Sequence, residues 1–275
     1  MVMVAMLLQG CVSIPSPQQR TQNAQQLAAD KDWQPYIIKT PYFELMSYQP
    51  PMNQGELLQA EQLSIYIEGD GLAWITRRQI SSNPTPNNPL ALTLALQDRS
   101  HRSVYLARPC QFVTEPHQRG CGKKYWTSAR FAPEVISAMD LAVSQLKDKF
   151  QATRLILVGY SGGGAVAALL AARRSDVVKL ITVAGNLDHK AWTEFHKSSP
   201  LTGSLNAANY RKELSMVEQT HYVGEKDRVI PPFLARRFIA GLSSRAKAKV
   251  VVVLEQTHGC CWDTRWPDLL LNEQL

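Results

Sequence analysis

The chain has no apolar run of the ~20 residues that a membrane span needs; its opening stretch, "MVMVAMLLQG", stops at Gly10. It has no self-similar period of about 20 to 50 residues, which excludes a solenoid or a propeller. It has no run of five or more basic residues either. The positive charges come as scattered pairs (Arg77 and Arg78, Lys123 and Lys124, Arg173 and Arg174, Arg236 and Arg237), so a net charge of +7 never gathers into the stripe that a nucleic-acid partner requires. Charged residues, at 19%, are too few for a disordered chain, and hydrophobic residues, at 45%, suffice for a sizeable core. No familiar zinc-ligand spacing links Cys110, His117 and Cys121, and no Lys-Ser/Thr pair follows the glycines at 162–164, which removes a zinc centre and a phosphate-cradling Walker loop. What remains is a globular chain of 275 residues, read as one mixed α/β domain that needs no cofactor or metal, with a mildly basic face suited to an anionic membrane or cell-wall surface. Nothing in the sequence bears on oligomeric state.

The first residues read as a secretory hydrophobic segment. Leu8-Gln9-Gly10-Cys11 resembles the lipobox of bacterial lipoproteins. That resemblance implies cleavage before Cys11, a lipid on that cysteine and, because Val12 follows instead of Asp, an outer-membrane protein facing the periplasm. Residues 1–10 are thus expected to be a signal peptide, 11–35 a tether that includes the polar "PSPQQRTQNAQQ", and 36–275 the folded domain. In an oxidising compartment Cys110 and Cys121, at the ends of "CQFVTEPHQRGC", are expected to form a disulfide. The state of the adjacent Cys260 and Cys261 stays open.

Short apolar runs alternate with helical patterns. "LSIYIEG" (63–69), "RSVYLAR" (102–108), "RLILVGY" (154–160), "KLITVAG" (179–185), "QTHYVGE" (219–225) and "AKVVVVLEQ" (248–256) read as strands buried on both faces. Between them "PLALTLALQD" (89–98), "PEVISAMDLAVSQLKDKF" (133–150), the alanine-rich run after Ser161 and "PPFLARRFIAGL" (231–242) read as helices. This alternation predicts a parallel sheet with helices on both faces, and antiparallel edge strands within 40–63. Two irregular stretches, 81–89 and 186–214, fall where the strands' carboxyl ends would meet a ligand.

Gly159-Tyr160-Ser161-Gly162-Gly163 matches G-x-S-x-G between a predicted strand and a predicted helix. That placement puts Ser161 at a sharp elbow with the next NH groups at the positive end of a helix. The overlapping Gly162–Ala167 stretch also fits a dinucleotide fingerprint, but the next strand ends in Val183-Ala184-Gly185-Asn186 without the acid that a ribose requires. Serine is a poor nucleophile at neutral pH, so an imidazole must take its proton and a carboxylate must fix that imidazole. Asp227, in "VGEKDRVIPP", and His258, in "LEQTHGC", follow in that order, each after a predicted strand; Asp188 is the competing acid. The expected oxyanion donors are the backbone NH of Gly162 and one from Glu68-Gly69-Asp70-Gly71-Leu72, with Asp70 first and Gly71 as the alternative.

On these residues the chain, from about 40 to 270, resembles an α/β-hydrolase. The turn at Glu68 resembles the family's His-Gly-x turn, with Glu68 where a histidine is usual. The resemblance implies a mostly parallel twisted sheet of about eight strands, no cofactor, and cleavage of an ester or related acyl bond of a small-molecule or lipid-like substrate through an acyl-enzyme. Trp74, Tyr160 and Trp192 are candidate substrate contacts, and 186–214 a small lid-like insertion. Two other functions share the same residues: a non-catalytic binding lipoprotein, and an acyltransferase whose acceptor is not water.

Overall fold

Residues 14–51, 61–98 and 102–273 are described by a computed structural model. Strands β1 (Gln34–Lys39) and β2 (Glu44–Gln49) pair antiparallel at one edge, Gln34 opposite Gln49 and Lys39 opposite Glu44. Then come β3 (Gln62–Ile67), β4 (Ser103–Leu106), β5 (Arg154–Tyr160), β6 (Val177–Val183), β7 (Glu218–Gly224) and β8 (Ala248–Val253), all mutually parallel, with β2 joining them antiparallel to β4. The order across the sheet of eight strands is β1-β2-β4-β3-β5-β6-β7-β8. The parallel strands are those read from the apolar runs, each within a few residues of its expected limits; the edge pair starts earlier than 40.

This order positions the site. β4 lies on one side of β3 and β5 on the other, so successive connections diverge from β3 and leave a crevice at the carboxyl ends of β3 and β5. The turn after β3 begins at Glu68, and the turn after β5 holds Ser161.

Helices cover both faces because the parallel strands bury both. On one face Leu63, Ile65, Leu155 and Leu157 pack against Val135, Met139 and Val143 of α3 (Pro133–Lys149) and Val166, Leu169 and Leu170 of α4 (Gly162–Ala171). On the other, Tyr66, Ile156, Val158 and Ile181 pack with Ala24 and Ala28 of α1 (Pro17–Ala29), Leu92 of α2 (Leu90–Ala95), and Trp262 and Trp266 of α8 (Trp262–Leu271). Alternate residues of one strand thus serve opposite layers, as the pleat requires. Every residue of α4 is buried, which explains its alanine content: a helix enclosed on all sides needs small apolar residues to pack closely.

Three expectations need correction. Residues 17–29, expected within a tether, form α1. Ser16 caps it by accepting from Gln19 N at 3.1 Å, Pro17 occupies the first turn, and Arg20 is buried with its guanidinium donating to the Thr85 carbonyl. The polar composition hid the helix because only Ala24, Leu27 and Ala28 form its apolar stripe. Beyond His258 the sequence reading named no element, yet α8 seats two fully buried tryptophans there. The segment 186–214, read as irregular, holds two short helices, α5 (His189–Phe195) and α6 (Arg211–Leu214), whereas α7 (Pro232–Ala240) follows β7 as expected. Residues 1–13, with the signal peptide and Cys11, lie outside the described residues, as does His101.

Candidate active site

At the end of β5 the chain turns into α4 within one residue. Ser161 has φ 52° and ψ −119°, a backbone position that costs a non-glycine residue energy unless its surroundings impose it. They do so here. The Ser161 NH donates to the Val183 carbonyl at 2.9 Å, and its carbonyl accepts from Gly164 N and Asn186 N at 3.0 Å each. The approach of strand and helix is so close that a Cβ on Gly159 would lie 2.6 Å from the carbonyl carbon of Gly163.

Two further loops bring partners to the serine. His258, after β8, holds Nε2 3.0 Å from Ser161 Oγ, and its Nδ1 lies 2.9 Å from Asp227 Oδ2. Because a carboxylate only accepts, Nδ1 carries the proton and Nε2 faces the serine as the base. Asp227 follows β7, its side chain fully buried, and its other oxygen accepts from Val229 N and Ile230 N at 2.8 Å each. The same carboxylate thus closes the turn ahead of α7 and orients the imidazole of His258. The backbone of His258 is held by Tyr160 Oη and Trp262 Nε1, which donate to its carbonyl at 3.2 and 3.1 Å. Asp188, the competing acid, is elsewhere engaged: it caps α5 through Ala191 N at 3.2 Å and accepts from Asn206 Nδ2 at 2.8 Å.

The turn after β3 faces Ser161 from the other side. Gly71 has φ +64°, and a side chain there would collide with the Pro84 carbonyl. Gly69 NH donates to Glu68 Oε1 at 2.9 Å, the Gly69 carbonyl accepts from Gln111 Nε2 at 2.9 Å, and Leu72 NH donates to the Pro84 carbonyl at 3.0 Å. Among the described residues, the NH groups of Asp70 and Gly71 and the first NH of α4, that of Gly162, donate to none. The Asp70 carboxylate bridges Arg108 and Arg130, the latter at 2.5 Å, and lies over Gly162. Burial alone would raise the Asp70 carboxyl, but Arg130 and Arg108 override it and hold it below the usual carboxylate range. Glu68 is the opposite case: burial pushes it up to about 7, against the NH of Gly69, the hydroxyl of Tyr105 and the NH groups of Ala91 and Leu92.

Ser161, His258, Tyr160, Asp70, Gly71 and Val229 line one cleft of about 370 Å³, closed by Leu72, Glu68 and the loop residues Pro86, Asn87 and Asn88. The irregular 81–89 stretch thus supplies a wall, as expected. Trp74 and Trp192 do not line it. Trp74 is drawn into an isolated antiparallel bridge with Ile80 and points part of its surface to solvent, and Trp192 donates its indole NH to the Val229 carbonyl at 2.8 Å, so it props the wall from behind. The 186–214 segment consequently acts as a buttress for Val229 and forms no cover over Ser161. Cys110 and Cys121 are bonded, with Cα atoms 5.6 Å apart, and Cys260 and Cys261 form a vicinal pair next to His258. A larger concavity, about 850 Å³, lies at the amino-terminal ends of β6 and β7 among Arg211, Lys212, Arg245 and Lys247, remote from this chemistry.

Sequence reasoning missed Arg108, Arg130, Gln111 and Tyr105. Arg108 stands two residues past the carboxyl end of β4, and that position was the available signal. Arg130 and Gln111 lie in irregular segments that carry none.

No protein-family model and no curated protein matches the sequence. Solved structures do match the fold. A puromycin-hydrolyzing peptidase of Mycobacterium tuberculosis superposes with a TM-score of 0.61 at 13% identity over 88% of this chain, which spans only 38% of that protein's length. Est1E from Butyrivibrio proteoclasticus gives 0.58 at 12% identity, over 87% of this chain and 98% of that one. An alpha-beta serine hydrolase homologue from Coxiella burnetii gives 0.58 at 16%, over 88% and 97%. With its mostly parallel eight-stranded sheet, its helices on both faces and these neighbours, the chain has the α/β-hydrolase fold.

Proposed function

We propose that the protein is a serine hydrolase that cleaves an ester or related acyl bond of a small-molecule or lipid-like substrate through an acyl-enzyme. The observation that carries this reading is the unbroken hydrogen-bonded line Ser161–His258–Asp227, with links of 3.0 and 2.9 Å, beside backbone NH groups that have no internal acceptor. As Ser161 Oγ attacks the acyl carbonyl, His258 Nε2 takes its proton and Asp227 stabilises the imidazolium. The electron pair moves to the carbonyl oxygen, which the NH of Gly162 and that of Asp70 or Gly71 receive. The C–O bond to the leaving group then breaks, and its oxygen takes the proton from Nε2. Water, deprotonated by the same nitrogen, attacks the acyl-serine and returns the hydroxyl to Ser161.

The cleft of about 370 Å³ sits at the small end of ligand pockets, which favours short acyl groups over long ones. Lipid attachment at Cys11 and residence at the outer membrane, facing the periplasm, belong to the same proposal and rest on residues 8–12; among the described residues no helix is long and apolar enough to cross a membrane. Mass measurement of the membrane fraction should find lipid on Cys11, and a soluble chain that keeps Met1 would reject the anchor.

A fluorophosphonate probe should label Ser161, and a panel of p-nitrophenyl esters from acetate to palmitate should be turned over fastest at the short end. Ser161→Ala should abolish both activities while remaining folded. A folded wild-type protein that resists the probe and every ester would leave the non-catalytic reading in place.

A further inference from the structure

We infer that Glu68 is the positioning residue of the oxyanion turn: its buried side chain draws the Gly69 NH away from the cleft and ties the turn to Tyr105 and to α2, leaving the NH groups of Asp70 and Gly71 as the free donors beside Ser161. The inference rests on the hydrolase reading of Ser161 and adds a residue that never touches the reacting atoms.

The geometry carries it by elimination. Within 68–72 the other NH groups and the Gly69 carbonyl are committed: Glu68 NH to the Leu106 carbonyl at 3.2 Å, Gly69 NH to Glu68 Oε1 at 2.9 Å, Gly69 carbonyl to Gln111, and Leu72 NH to the Pro84 carbonyl. Were Glu68 apolar, the Gly69 NH would compete for the same oxyanion or rotate to find an acceptor, and the turn would lose its register against Ser161. The far oxygen, Oε2, accepts from Tyr105 Oη at 3.2 Å, which fastens the turn to β4. Glu68 also faces the NH groups of Ala91 and Leu92 in the first turn of α2, whose N-cap, Pro89, offers no side-chain acceptor. One carboxyl thus bonds the turn to β4 and faces the start of α2. A carboxyl this buried is retained at a cost unless its bonds do something that an apolar residue cannot.

The ionised form is the one that clamps. Its neighbours are donors, so a proton on Glu68 finds only Tyr105 Oη as an acceptor, and a bond to the turn or to Tyr105 must be rearranged. The titratable and charged groups that face it are Tyr105 of β4, Tyr160 of β5 and Arg108 beyond β4; α2 contributes none, and Asp70 is turned to Arg108 and Arg130. With the carboxyl pushed up to about 7, the clamp tightens across neutral pH.

The test uses the full folded chain, with active sites counted by fluorophosphonate. For Glu68→Ala the expected result is a loss of roughly 10- to 100-fold in kcat per counted site, below the ~100- to 1000-fold of deleting an oxyanion donor outright because the donors are displaced and not removed, with KM changed by less than about twofold. The affinity for phenylboronic acid, whose tetrahedral serine adduct fills the same hole, should fall by the same factor. Glu68→Gln keeps one acceptor oxygen and the side-chain shape, so it should restore most of kcat and lose the inflection near neutral pH that depends on Glu68. A residue that merely supports the fold would lower the number of active sites and leave kcat per site and boronate affinity at wild-type values; that result would overturn the inference. So would a Glu68→Ala variant whose boronate affinity does not follow kcat. If the wild type itself neither labels nor turns over, the hydrolase reading fails first, and the positioning role with it.

Discussion

Two halves of the cleft are built on different plans. On one side, Ser161, His258 and Asp227 come from the loops after β5, β8 and β7 and form a line with His258 in the middle, joined by one hydrogen bond at each link. On the other, the 68–72 turn is held by its own Glu68 and from outside by Gln111, Arg108, Arg130 and the Pro84 carbonyl, and offers backbone NH groups to the cleft. A linear relay should fail outright when any link is cut, because nothing shares the work. A clamped turn should yield by degrees, because several bonds hold the same few atoms.

The sharpest way to break this contrast is at the two aspartates. Asp227→Asn should lower kcat by about 10⁴, since the amide can leave the imidazole in the wrong tautomer. Asp188→Asn should leave kcat within a few-fold and cost about 1 kcal/mol of stability through the α5 cap. Steady-state kinetics on both variants decide it, and a large loss confined to position 188 would reassign the acid.

Next in size is the buried ion cluster. Arg108→Met leaves Asp70 with Arg130 alone and strips a donor from the Arg130 carbonyl, so urea unfolding should show a loss of about 3–5 kcal/mol. Adding Asp70→Asn to that variant should recover part of it. A loss below about 1 kcal/mol would mean that the turn is held without the cluster.

The smallest effect is a slope with pH. Burial raises Glu68 from 4.5 to about 7, so across that window the folded chain keeps a proton that the unfolded chain has released. Its contribution to stability is fully present below pH 4.5 and is lost as pH rises through about 7. Glu68→Gln removes that contribution, and between the two limits it should gain about 3 kcal/mol relative to wild type. Parallel stability profiles for the two proteins would take Glu68 out of the pH response. In the wild type, turnover should rise over the range in which stability falls, since ionisation tightens the clamp while it adds a buried charge.

The relay was legible in the sequence because each member sits in a local pattern. Gly159-Tyr160-Ser161-Gly162-Gly163 joins an apolar run to an alanine run, and Asp227 and His258 each follow an apolar run in the order that the elbow requires. Parallel strands buried on both faces also announce themselves as continuous apolar stretches. The rest gave no such signal. Residues 17–29 are polar enough to pass for a tether, and become α1 because Arg20 finds the Thr85 carbonyl 65 residues away. Trp74 and Trp192 have the chemistry of pocket residues, but aromatic identity does not state direction, and neither lines the cleft.

By itself the amino-acid order determined the layered sheet, the elbow with Ser161 and the place of His258 after the last strand, and left two aspartates in competition, since periodicity and turn chemistry act between near neighbours. Only the tertiary structure decided which acid reaches His258, which NH groups of the 68–72 turn stay free, and which side chains hold them there. Asp70 meets Arg108 and Arg130 across 38 and 60 residues of chain, and a buried charge is tolerable only where folding delivers such distant partners.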